Sequence, residues 1–206
     1  MKKFVKFTDK EIETLLDYII KNYQILTELF YNINEYVHIG EIYKITNEEL
    51  ELFNSIPIPE KYKLKLPIII YRGMFLSDKM IKTIIVKFKK EKEKFNYKPR
   101  GQFSSWSLSK NIADIFSNNN RSKSKYGYGL IFESNLTNKN KFIDINLFFC
   151  IMENINKFLT SKYNSNKLSK EESKLYKLSN ITLLRYNELE IIVFGKLKVT
   201  NIYKSK

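Results

Sequence analysis

The order of signals along the chain predicts an α+β fold, with helices first and short strands gathering afterwards. Three observations carry that expectation. Two helix-opening capping boxes and helically spaced apolar residues fall before residue 54. From Ile68 onward, short apolar or alternating runs recur between Gly, Pro, Ser and Asn. These runs do not alternate with helices in the regular way a parallel sheet needs. Nothing along the 206 residues reads as a repeat or a linker, so residues 1–206 are expected to form one domain with a helical N-terminal part over 1–66.

Thr8 with Glu11 opens the first helix, and Ile12, Leu15, Leu16, Ile19, Ile20 and Tyr23 repeat at helical spacing, predicting a helix that runs into the early thirties. Thr46 with Glu49 opens a shorter helix toward Phe53, and the prolines of SIPIPEKYKLKLP then break helix. PIIIYRGMF reads as a strand. Ser77 is placed to cap a helix with Met80, Ile81, Ile84, Ile85 and Phe88 on one side and lysines on the other. FSSWS reads as a strand, Ser109 as the cap of KNIADIF, and residues 117–127 as a polar loop. YGLIFESNL is another strand, NLFFCIMENINKFL a helix, and Ser169 with Glu172 opens a short helix. ELEIIVFG and KLKVTNIY close the chain as strands.

Hydrophobic residues at 43% and charged ones at 28% are globular values, so the chain is expected to fold rather than stay disordered. No apolar run reaches the roughly 18 residues of a membrane span, and MKKFVKFTDKEIE lacks a signal-peptide core, which predicts a cytoplasmic protein with no membrane partner. The only cysteine, Cys150, suits a buried structural thiol in a reducing compartment. The only histidine, His38, excludes a metal site built from several His ligands and most His-activated nucleophiles; no metal is expected. Net charge is +14, which fits an anionic partner such as RNA or a ribosome but fits equally an AT-rich coding bias toward Lys, Asn and Ile.

Glu188 and Glu190 stand one residue apart where the chain enters a run of Ile and Val. On a strand they share one face, with stems about 7 Å apart, a separation that is costly unless the face is solvated or meets something cationic. Two further islands precede them in order: Tyr71-Arg72-Gly73 at the end of an apolar strand, and Phe103-Ser104-Ser105-Trp106-Ser107 leading into a capped helix that ends in Phe116. In this order the islands resemble the Arg, Ser-Thr-Ser and E-x-E signature of the mono-ADP-ribosyltransferases, over roughly the last two thirds of the chain, and most nearly the small phage host-modifying enzymes of the ModA and ModB type. Trp106 departs from the pattern, standing where the family's middle threonine usually is; alternation turns it away from Ser105 and Ser107.

The resemblance implies an ADP-ribosyltransferase-like domain with two small, mainly antiparallel sheets around an NAD cleft, the core lying in 67–206. It implies NAD as co-substrate, cleaved at the nicotinamide bond, and transfer of ADP-ribose to an arginine of a host protein that acts in transcription or translation. By similarity, Glu190 is catalytic with Ser105 orienting it, and Ser107, Gly73, Phe116 and Arg121 join Arg72 in binding NAD. Glu188 takes the acceptor guanidinium and its proton, and Tyr186 contacts the target. Two other readings stand beside this one: a non-catalytic, basic nucleic-acid-binding module, and an intracellularly acting NAD-consuming toxin. RNA carrying a 5′ NAD is a further donor consistent with the charge.

Overall fold

The computed structural model of the chain describes residues 6–39, 45–91, 94–99, 102–118, 127–182 and 190–205, with backbone alone at 36–39 and 181–182. The fold is α+β, with helices and an antiparallel sheet. The chain divides into two compact units. The first comprises Met1–Lys63 and Asn146–Asn187, and the second Leu64–Ile145 and Glu188–Lys206. No helix among the described residues is long and apolar enough to cross a membrane.

The helical unit holds α1 (Asp9–Lys21), α2 (Tyr23–Ile39), α3 (Asn47–Asn54), a 3-10 turn at Glu60–Tyr62, α6 (Ile145–Asn164) and α7 (Lys170–Thr182). Both N-terminal capping boxes form: Thr8 and Glu11 exchange side-chain and backbone bonds, as do Thr46 and Glu49. The single first helix expected from the spacing is two helices. Asn22 leaves helical geometry and its side chain donates to the Tyr18 carbonyl at 2.9 Å, the local competition that makes asparagine a helix terminator. Ser169 and Glu172 form the third box, and α7 runs longer than expected. Leu15, Ile19, Leu26, Leu29, Phe30 and Ile33 are fully or almost fully buried with Phe148, Ile151, Met152, Ile155 and Leu159. Phe30 meets Phe148 with ring centroids 5.3 Å apart. Cys150 is only half-buried, because it lies off the apolar stripe of α6. His38 falls in the last turn of α2, and its side chain lies outside the described residues.

The second unit carries the sheet: β1 (Ile68–Ser77), β2 (Asn96–Tyr97), β3 (Phe103–Ser107), β4 (Gly127–Leu136), β5 (Phe142–Asp144), β6 (Glu190–Phe194) and β7 (Leu197–Lys204). The strands pair in the order β2-β7-β4-β1-β3-β6-β5. This is one seven-stranded sheet, not the two expected. Its two ladders are joined through a single antiparallel pair, Tyr71↔Ser107, beyond which β1 and β3 part. The short edge strands β2 and β5 limit the exposed ladder.

Two helices cover opposite faces of β1 and β4. α4 (Asp78–Lys90) sits over the face of Ile70, Leu76, Leu130 and Phe132, burying Ile81 fully and packing Ile84, Ile85 and Phe88 against the core. Met80, expected on that apolar side, is 41% exposed at its edge, and the Ser77 hydroxyl makes no capping bond although its backbone holds the N-cap conformation. α5 (Lys110–Asn118) lies on the other face, over Gly73 and Gly129. A Cβ at Gly73 would stand 1.7 Å from the Ala113 carbonyl oxygen, and one at Gly129 would stand 2.6 Å from Ser117 Oγ. Both positions need glycine because the helix comes so close.

Candidate active site

Where β1 and β3 part, a cleft of about 370 Å³ opens, within the range of small-molecule sites. Arg72, Gly73, Ser105, Ser107, Phe116 and Glu190 all line it, with Tyr71, Met74, Phe75, Trp106, Ile112 and Ala113. Six residues singled out from three separate islands thus meet in one cavity. Arg121, Tyr186 and Glu188 lie outside the described residues.

Strand register explains the convergence. β3 pairs β6 with Ser107 opposite Glu190 and Ser105 opposite Ile192. Partners in an antiparallel pair project from the same face, so both serines share the Glu190 face while Trp106 and Ile191 share the other. The direct neighbour of Glu190 across the ladder is Ser107, with Ser105 one pair further on. Glu190 is 9% exposed at the first position of β6, a carboxylate held near the edge of the core. Ser107 Oγ accepts from the Ser109 backbone amide at 3.0 Å, which ties the end of β3 to the start of α5.

Trp106 is 1% exposed and belongs to the core cluster behind the strand, as alternation requires. Its indole N–H donates to Ser104 Oγ at 2.8 Å, satisfying the one polar atom the ring buries. Trp106 therefore fills the core and stays off the face shared by Ser105 and Ser107.

Arg72 behaves differently from its neighbours. Its Cα pairs with Phe132, so the side chain leaves β1 on the core face, opposite Tyr71 and Gly73. The guanidinium crosses the gap between the strands: Nη1 donates to the Ser105 carbonyl, and Cζ lies 5.2 Å from the centre of the Tyr97 ring. Its Nε is buried and has no hydrogen-bond partner among the described residues. Gly73 has a structural reason of its own, since the α5 backbone fills the space a side chain would take. Phe116 is 40% exposed at the rim.

A second polar cluster borders the cleft through Tyr71. Tyr71 pairs with Glu133 across β1 and β4, and Glu133 accepts from Tyr203 Oη at 2.8 Å and Asn201 Nδ2 at 2.9 Å. The bond to Glu133 holds the Tyr203 phenol above its ordinary range, with burial and the Glu133 charge adding to it. Burial, and then the Glu133 charge, raise Tyr71 likewise. Lys110 Nζ lies 3.3 Å from the centre of the Tyr203 ring. Sequence reading gave no role to Tyr71, which lines the cleft, or to Tyr97, which packs against the Arg72 guanidinium. Alternation along β1 places Tyr71 with Gly73, whereas Tyr97 comes from a two-residue strand that leaves no periodic trace.

Comparison with protein-family models, curated proteins and solved structures gives no match. Function is therefore read from the site.

Proposed function

We propose that the cleft binds NAD and that the protein transfers ADP-ribose from it to a protein acceptor, an arginine side chain. One observation carries this reading: Arg72, Ser105, Ser107 and Glu190, separated by up to 118 positions in the 206-residue chain, line a single cavity with a carboxylate and a guanidinium on its walls. The residues suit the co-substrate. Arg72 lines the cleft, and a guanidinium presents a planar fork of N–H donors that matches phosphate oxygens.

In this account the Glu190 carboxylate faces the positive charge that builds on the ribose as nicotinamide leaves with the bonding electrons. A carboxylate already fixed in a cleft stabilises that charge without reorganising, as in glycoside hydrolysis. Ser107, directly across the ladder, and Ser105 beside it orient the carboxylate and the ribose hydroxyls. Phe116 offers the nicotinamide ring an apolar wall. The acceptor guanidine nitrogen then bonds to the ribose carbon and gives up a proton, which Glu188 takes. Water in place of the guanidine yields NAD hydrolysis.

The test is incubation of the purified protein with adenine-labelled NAD and a bacterial lysate, followed by mass spectrometry of the labelled species. The expected result is ADP-ribose on arginine in one or a few proteins with wild type and none with Arg72→Ala. Label that stays in free nucleotide, with NAD unconsumed, would contradict the proposal.

A further inference from the structure

The charge of the chain is divided unevenly between its two units. The helical unit holds 15 Lys and Arg against 14 Asp and Glu, which leaves +1. The sheet unit, of similar length, holds 21 against 8, which leaves +13. Coding bias acts on all segments alike and does not strip acidic residues from one unit only. Ion pairs within 4 Å, Lys61–Glu11, Lys63–Glu60, Lys157–Glu153 and Lys162–Glu172, offset charge within the helical unit. The sheet unit thus keeps a self-repelling surface, which costs stability unless a polyanion offsets it.

α4 concentrates that charge. At about 100° per residue, Lys79, Lys82, Lys87, Lys89 and Lys90 all fall within about 80° of one line along the helix. All five are exposed, and none takes part in those ion pairs. Asp78 and Glu91 stand at the ends of the row. From Lys79 to Lys90 it spans about 16 Å, along which a nucleic-acid duplex presents roughly nine phosphates. We propose that the lysine face of α4 docks the phosphate backbone of a nucleic-acid duplex without reading its sequence.

Two features favour a duplex over other polyanions. The exposed residues of α4 include no aromatic ring on which single-stranded bases would stack, Phe88 being turned into the core. A membrane-surface helix needs its apolar face free to enter lipid, and here Ile81, Ile84, Ile85 and Phe88 are committed to the sheet. α4 also covers the sheet face opposite α5, so a duplex bound there leaves the α5 side of the sheet uncovered. This inference does not depend on the proposed use of NAD.

The experiment titrates labelled duplexes of RNA and of DNA, on the order of 20 base pairs and so longer than the lysine row, without NAD. Five phosphate contacts predict a slope of log affinity against log salt of about −4.5, a loss on the order of 500-fold between about 50 and 200 mM salt. Replacing Lys79, Lys82, Lys87 and Lys90 with Gln should reduce the slope by about 3.6. The same change at Lys10, Lys167, Lys170 and Lys177, exposed in the helical unit, removes equal charge and should leave the slope within about 1 of wild type. Thermal unfolding of both variants keeps loss of fold separate. Equal weakening by both sets would overturn the docking face in favour of net charge alone. Tighter binding of single strands or of anionic phosphatidylserine vesicles than of duplex would overturn the choice of partner, and absence of duplex binding would overturn the proposal outright.

Discussion

Gly73→Ala tests how the cleft is built. An ideal Cβ at this position would lie 1.7 Å from the Ala113 carbonyl oxygen, 2.7 Å from its carbonyl carbon and 2.9 Å from the Ser117 amide nitrogen. All three are backbone atoms, so no rotamer change relieves the clash. α5 has to retreat by about 2 Å to restore van der Waals separation. Overpacking costs about 1–3 kcal/mol, and contact with backbone puts this case toward the top of that range. Removing a strand glycine returns about 0.5–1 kcal/mol through lower unfolded-state entropy, which leaves about 2 kcal/mol of destabilisation. For a chain of this size that is a fall in Tm of about 4–8 °C. Gly129→Ala should cost less, because its nearest neighbours, Ser117 Oγ and Ser205 Cβ, are side-chain atoms. Circular dichroism melts of wild type and both variants decide it. A Gly73→Ala variant that melts within about 1 °C of wild type would refute the helix-packing account. If such a variant also lost activity, the glycine would belong to ligand approach.

Other outcomes follow from the proposed function and from the fold. Glu188→Gln should lower transfer to protein arginine by about 10²-fold or more while nicotinamide release into water largely survives; an unchanged ratio of the two, measured on one preparation, would remove Glu188 from the acceptor role. Trp106→Ala should destabilise by about 3–5 kcal/mol, since it empties a core position and leaves Ser104 Oγ without its donor, as a denaturant melt would show. The raised Tyr203 phenol means the folded state holds that proton more tightly than the unfolded chain. Its stability contribution is whole below the ordinary phenol range and is lost as pH rises through the folded value. Tyr203→Phe should therefore flatten the alkaline fall in Tm, and an unchanged alkaline limb would place the titration elsewhere.

The local parts of this structure were legible in the sequence. Thr8 with Glu11, Thr46 with Glu49 and Ser169 with Glu172 set helix starts within four residues of chain, and all three form. The break at Asn22 was hidden because the apolar repeat continues through it, while the deciding bond, Asn22 to the Tyr18 carbonyl, competes with the helix without disturbing the pattern. Long-range pairing was less visible. Nothing near Tyr71 signals that it meets Ser107, yet that one pair makes a single sheet of two ladders and sets where the cleft opens. Arg72 was readable as a candidate from its motif, but its course onto the core face and across to Ser105 depends on Tyr97, which sits in an edge strand of two residues. The charge asymmetry is legible in the sequence, since residues 1–63 hold 8 Lys and Arg against 11 Asp and Glu; the fold adds which later residues share the basic unit.

Glu190 in this cleft is proposed to stabilise the cleavage of NAD. The most direct measurement is nicotinamide release from NAD by purified wild type and Glu190→Ala, with melts recorded on the same samples. Steady release is expected from wild type, with a fall of about 10²–10³-fold in the variant at matched stability, the scale of losing one preorganised charge-stabilising group. Release by the folded variant at the wild-type rate, or a folded wild-type protein that neither binds nor cleaves NAD, would contradict it.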